Sequence, residues 1–198
     1  AIENLSTFFS IVSAGGVENC LARADHEPEP DDFETFVVAA DIACSKVVDG
    51  VGHGAEIVAN ASLSFEHDGP GDTLSAIRFS SRVVSNRSAT GLASSATLHR
   101  VLLRFDVEDE PVAFTATGAV DCADGSASFL RLRDVDVPGF GFEVGAVFVE
   151  YCQTFDDPMR TYLSETGTLP TGRYEVRVEL ATVDWFTEVL EFVLRFGD

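Results

Sequence analysis

An alternation with a period of two runs through this chain and sets what it can become. Residues 173–182 read Arg-Tyr-Glu-Val-Arg-Val-Glu-Leu-Ala-Thr. In an extended strand Tyr174, Val176, Val178 and Leu180 share one face, while Arg173, Glu175, Arg177 and Glu179 share the other. That pattern specifies a half-buried antiparallel strand with charge pairs on its wet side. Similar stretches recur at Phe33–Cys44, Glu56–Phe65, Leu74–Val84, Ala96–Val107, Val112–Val120, Ser126–Arg133, Phe140–Cys152, Arg160–Thr166 and Val189–Phe196. Turn formers separate them, among them Asp68-Gly69-Pro70-Gly71, Asp124-Gly125, Pro138-Gly139 and Pro170-Thr171-Gly172. Short strands punctuated in this way predict an all-β fold with little helix. The expected form is an antiparallel β-sandwich, jelly-roll-like, of about ten strands. Sixteen phenylalanines suit a core filled from two inner faces. A helix is an alternative only over Asp32–Val48, where the alternation of Phe36, Val38, Ala40 and Ile42 favours strand.

At 198 residues the chain has room for one sizeable core. The division expected is an N-terminal arm, residues 1–24, and a sandwich, residues 25–198. They meet at the acidic, proline-broken stretch Asp25–Asp32. Within the arm, Phe8, Phe9, Ile11 and Val12 are apolar on both sides of a strand. This suits residues 1–13 to adding as a strand to a neighbour's open sheet edge.

Charge narrows the function. Lys+Arg is 13 against Asp+Glu 33, a formal net charge of −20, so a phosphate backbone is repelled and nucleic acid is not an expected partner. Lys46 is the one lysine, a usage that fits a GC-rich genome or a salty habitat. No apolar run approaches the roughly 18–20 residues of a membrane span. The first residue is Ala1, read here as a terminus left by removal of a signal segment.

Cys20, Cys44, Cys122 and Cys152 form no CxxC pair. Two disulfides in an oxidising compartment are the expectation, Cys20–Cys44 and Cys122–Cys152 being the favoured connectivity of the three available. Four buried thiols are the alternative. Three of the four asparagines, Asn4, Asn60 and Asn86, head N-x-S sequons and are candidate glycosylation sites.

Chemistry is sparse. His26, His53, His67 and His99 form no HExxH or HxxxH pattern, and no nucleophile elbow, P-loop or dinucleotide fingerprint occurs. An enzyme is therefore not expected. No cofactor is required by any motif. Calcium is the ion most compatible with the loop carboxylates, with Asp121 and Asp124 as the candidate pair. Trp185 is the candidate aromatic platform for a sugar.

Several segments carry a resemblance: Asp31-Asp32-Phe33, Val38-Ala39-Ala40-Asp41, Ala59-Asn60-Ala61-Ser62, Phe114-Thr115-Ala116-Thr117-Gly118 and Ser164–Tyr174. In this layout the chain resembles uncharacterised secreted β-sandwich proteins of the PEP-CTERM-associated type over about residues 33–182. Their G-x-L-P-x-G-x-Y turn is matched by Gly167, Leu169, Pro170, Gly172 and Tyr174. The resemblance implies a secreted location, Tyr174 entering the core, and no catalytic residues to carry over. The functional expectation is a secreted structural protein whose partners are copies of itself, in a filament, sheath or surface layer. A monomeric carbohydrate- or calcium-binding module is the alternative.

Overall fold

The computed structural model describes residues 2–15, 21–27, 34–48, 51–68, 73–87, 95–122, 127–138, 145–153, 159–183 and 187–197. Twelve strands follow one another: β1 (Ile2–Gly15), β2 (Leu21–His26), β3 (Phe36–Val48), β4 (Val51–Asp68), β5 (Thr73–Arg87), β6 (Ser95–Val107), β7 (Val112–Cys122), β8 (Ala127–Asp134), β9 (Ala146–Gln153), β10 (Met159–Leu169), β11 (Gly172–Val183) and β12 (Thr187–Phe196). The described residues contain no helix, so none is long and apolar enough to cross a membrane. The ambiguous stretch around Phe36–Val48 is strand.

The strands form two six-stranded antiparallel sheets, β2-β1-β6-β11-β8-β9 and β10-β7-β12-β5-β4-β3. From β5 onward the chain crosses between layers at each step except the β8–β9 hairpin, so that β5-β12-β7-β10 faces β6-β11-β8-β9. That interleaving is the eight-stranded jelly-roll order. Two added hairpins widen it on one flank, β1–β2 beside β6 and β3–β4 beside β5.

The expected arm is thus built into the sandwich. β1 pairs with β2 on one side and β6 on the other, setting Phe8 opposite Leu102, Phe9 opposite Val101, Ile11 opposite His99 and Val12 opposite Leu98. Within the chain Phe9–Ala14 have strand partners on both sides, β2 and β6, while from Ile2 to Phe8 the pairing is with β6.

The core lies between the layers. Tyr174, Phe105, Leu63, Ile77, Leu103, Leu132 and Leu169 are its largest fully buried side chains. Phe105 stacks on Tyr174 at 5.8 Å between centroids and meets Phe196 of the opposite sheet edge-on at 5.4 Å. Tyr174 does enter the core, and its hydroxyl donates to the Pro170 carbonyl at 2.9 Å. This i−4 bond ties the turn before β11 to the strand it opens. A void of about 10 Å³ among Leu63, Ile77, Val101, Leu103, Val176 and Phe192 is apolar and at the lower limit for one water. That void has no room for a ligand.

Candidate functional site

The outer face of the first sheet carries an ordered lattice of charge. Where Val101, Leu103, Phe105, Val176, Val178, Leu130 and Leu132 point inward, their neighbours in sequence point outward. Register then sets Arg104 of β6 and Arg133 of β8 opposite Glu175 of β11, and Arg100 opposite Glu179. Arg131 stands opposite Arg177, one step along.

Glu175 is the centre. It is only 2% exposed, although it lies on the outer side of the sheet. Oε2 accepts from Arg104 Nε at 3.1 Å, and Oε1 accepts from Arg133 Nε at 3.2 Å and Arg131 Nη2 at 3.4 Å. Arg131 is itself 3% exposed. Burial, and then the like charge of Arg133, push its guanidinium below the ordinary arginine range. Beside this centre Glu179 accepts from Arg100 at 2.7 Å and from Arg177. At the far end Arg173 pairs with Asp136, whose carboxyl is held below the usual range chiefly by that hydrogen bond. Three strands far apart in sequence are thereby stapled by charge-assisted bonds.

A cleft of about 420 Å³ opens on this lattice, walled by Arg104, Arg133 and Arg173 together with Asp106, Glu175 and Tyr174. Both oxygens of Glu175 already accept from guanidiniums, so the carboxylate acts here as an ionic staple. Sequence reasoning recognised the charged faces as wet strand faces and missed their convergence. The signal was present in the alternating arginines of 100–104, 131–133 and 173–177.

The second sheet is different. Its outer face along β3 and β4 exposes Val37, Val47 and Val58 with Asn60 beside them, and also the carboxylates Asp41 and Glu56. Ser62 and Ser80 hydroxyls meet across β4 and β5 at 2.9 Å. On β10 the Tyr162 ring is 71% exposed, with the Arg160 guanidinium 5.6 Å from its centroid.

The residues singled out from sequence are scattered over this frame. Asn60 is exposed on β4, opposite Ala39 and Arg82. Asn4 lies on β1 and Asn86 on β5, with side chains outside the described set. Cys44 falls on β3, Cys122 at the end of β7 and Cys152 on β9. Their sulfurs, and all of Cys20, lie outside the described residues, so the two expected disulfides do too. Asp121 sits opposite Arg160 on β10. Its side chain, Asp124 and Trp185 lie outside the described set. Among the described residues no group of three or more His, Cys, Asp or Glu side chains is placed to hold a metal.

No protein-family model matches the chain, and no curated protein matches it. Among solved structures, one titled "Structure of infectious bursal disease virus Gx strain" is similar at a TM-score of 0.28 and 10% identity. That match takes in 100% of this chain, which spans 58% of the length of the viral one.

Proposed function

We propose that this chain is a secreted, non-enzymatic structural subunit that assembles with copies of itself outside the cell. The observation that carries the reading is the set of exposed valines on the second sheet. In a chain of net charge −20, the β3–β4 side exposes Val37 and Val47, 69% and 71% accessible, and Val58, among the exposed carboxylates Asp41 and Glu56. Such a flank on a charged surface marks a contact region. The jelly-roll order does not choose the function, since shells, lectins and cupins all use it. The extracellular setting belongs to the proposal and is supported by the four cysteines and three sequons. Sedimentation velocity over a concentration series tests it: a weight-average mass rising beyond 21.3 kDa is expected, and a single species at that mass throughout overturns it.

One observation favours a second reading. An exposed tyrosine flanked by an arginine, as at Tyr162 and Arg160, is a form that sugar platforms take. Binding on a glycan array that disappears with Tyr162→Ala would select this module reading. An array without binding removes it.

A further inference from the structure

We propose that the cleft on the outer side of the first sheet binds one small oxyanion, a carboxylate, sulfate or phosphate group. Arg104 and Arg133 hold it, beside the buried Glu175. This binding is independent of self-assembly.

Charge is unevenly placed on this protein. Five of its thirteen basic residues, Arg100, Arg104, Arg131, Arg133 and Arg177, stand on three adjacent strands around Glu175 and Glu179. Five positive charges against two leave an excess of three, in a chain whose net charge is −20. The neighbouring strands bring no charge to these positions. β1 sets Ser6 and Ser10 opposite Arg104 and Arg100, and β9 sets Val149 opposite Arg131. Carboxylates gather only past Arg104 and Arg133, where Arg173 meets the charges of Asp136, Asp106 and Asp134.

Two of these arginines form a clamp. Arg104 on β6 and Arg133 on β8 flank Glu175 of β11 from opposite sides. Arg104 Nε bonds Oε2 at 3.1 Å and Arg133 Nε bonds Oε1 at 3.2 Å. Arg131 bonds the same carboxylate from a buried position. A carboxylate has about four lone-pair positions, and each guanidinium has about five N–H donors. One glutamate therefore fixes three guanidiniums without saturating them, and its own charge is more than neutralised. Arg104 and Arg133 both wall the cleft and keep 59% and 33% side-chain exposure. Each is held from behind and still offers N–H groups to whatever enters. The guanidinium fork matches the paired oxygens of a carboxylate, sulfate or phosphate. Fixing it beforehand removes part of the ordering cost of binding.

Size and charge both select a small ligand. The cleft, about 420 Å³, falls within the ~300–1,000 Å³ of small-molecule sites. At physiological ionic strength a surface field fades over ~8 Å. A single anion seated here responds chiefly to the local arginine excess. A long polyanion would also lie over the acidic remainder of the surface and be repelled.

Isothermal titration of the full chain with sodium sulfate, sodium phosphate and sodium glucuronate, at one fixed ionic strength, tests this. Saturable one-site binding by at least one of them is expected, and which one binds separates a tetrahedral oxyanion from a carboxylate. Arg104→Gln should weaken it about tenfold or more, through loss of a charge-assisted bond. Arg104→Lys keeps the charge without the fork and should recover only part. Asp106→Asn removes a negative charge from the cleft wall and should tighten binding about threefold. Circular dichroism checks that each variant folds. No saturable binding by any of the three anions overturns the proposal. Binding that Arg104→Gln leaves unchanged also overturns it, because the anion is then held elsewhere. Should Arg104→Gln not fold, Asp106→Asn decides, and an affinity no tighter than wild type overturns the site.

Discussion

Replacing Glu175 by glutamine keeps the shape of the side chain and removes the charge that three guanidiniums share. In the wild type, Arg131 and Glu175 are both almost fully buried, and Arg131 reaches Oε1 at 3.4 Å. Arg104 and Arg133 bond the same carboxylate at 3.1 and 3.2 Å but keep contact with water, at 59% and 33% side-chain exposure. Solvent can therefore compensate Arg104 and in part Arg133, while it scarcely reaches Arg131, at 4% side-chain exposure. Removing one partner of a buried ion pair costs about 3–5 kcal/mol, because a charge is left in a poorly hydrated place. For a chain of this size each kcal/mol lowers Tm by about 2–4 °C, so the expected loss for Glu175→Gln is about 6–20 °C. The assay is thermal unfolding followed by the β-sheet circular dichroism signal, together with urea titration. Two further measurements identify the cause. In about 1 M salt the loss should persist, since buried pairs are weakly screened. Adding Arg131→Met should recover much of it, since an apolar group of similar length removes the stranded charge. A Tm within about 2 °C of wild type would refute the argument that this carboxylate staples β6, β11 and β8.

Other outcomes follow from the same geometry. Tyr174→Phe removes the hydroxyl that bonds the Pro170 carbonyl but keeps the ring on Phe105. It should cost about 0.5–1.5 kcal/mol in a urea titration, against about 3–5 kcal/mol for Tyr174→Ala. Gly145 has φ of +69°, and a Cβ there would stand 2.4 Å from the Asp134 carbonyl oxygen. Gly145→Ala is therefore expected to destabilise by about 1–3 kcal/mol by the same titration. Glu150 is pushed upward by burial and by Glu165, so the folded state holds its proton more tightly than the unfolded chain does. That contribution is favourable when the carboxyl is protonated and is lost as pH rises from the ordinary glutamate range through the raised folded value. Glu150→Gln should accordingly raise Tm near neutral pH and lose that advantage in acid. An equal shift at both pH values would contradict the assignment.

Much of the strand content was legible because alternation is a local property. The run 173–182 is β11 almost to the residue, and the inward set Tyr174, Val176 and Val178 is buried as its parity requires. The two layers were legible too, from short amphipathic strands that must cover one another. The N-terminal segment was less so. Phe8, Phe9, Ile11 and Val12 are apolar on both sides of a strand, and that pattern is the same whether the neighbouring strand belongs to this chain or to another. Only the pairing of β1 with β2 and β6 distinguishes the two.

By itself the sequence determined the elements: where strands run, which side of each turns inward, and that charge lines the opposite side. These follow from the two-residue repeat of the extended backbone and the free energy of burying apolar surface, which act over a few residues. Only the tertiary structure decided which strands are neighbours. Glu175 lies 71 residues from Arg104 and 42 from Arg133, and no local pattern specifies that β11 will be laid between β6 and β8 with these three side chains in line. An outward glutamate is ordinarily hydrated. Here the registers of two separate strand pairs surround it with guanidiniums and bury it, and a register is settled by the packing of the whole sandwich.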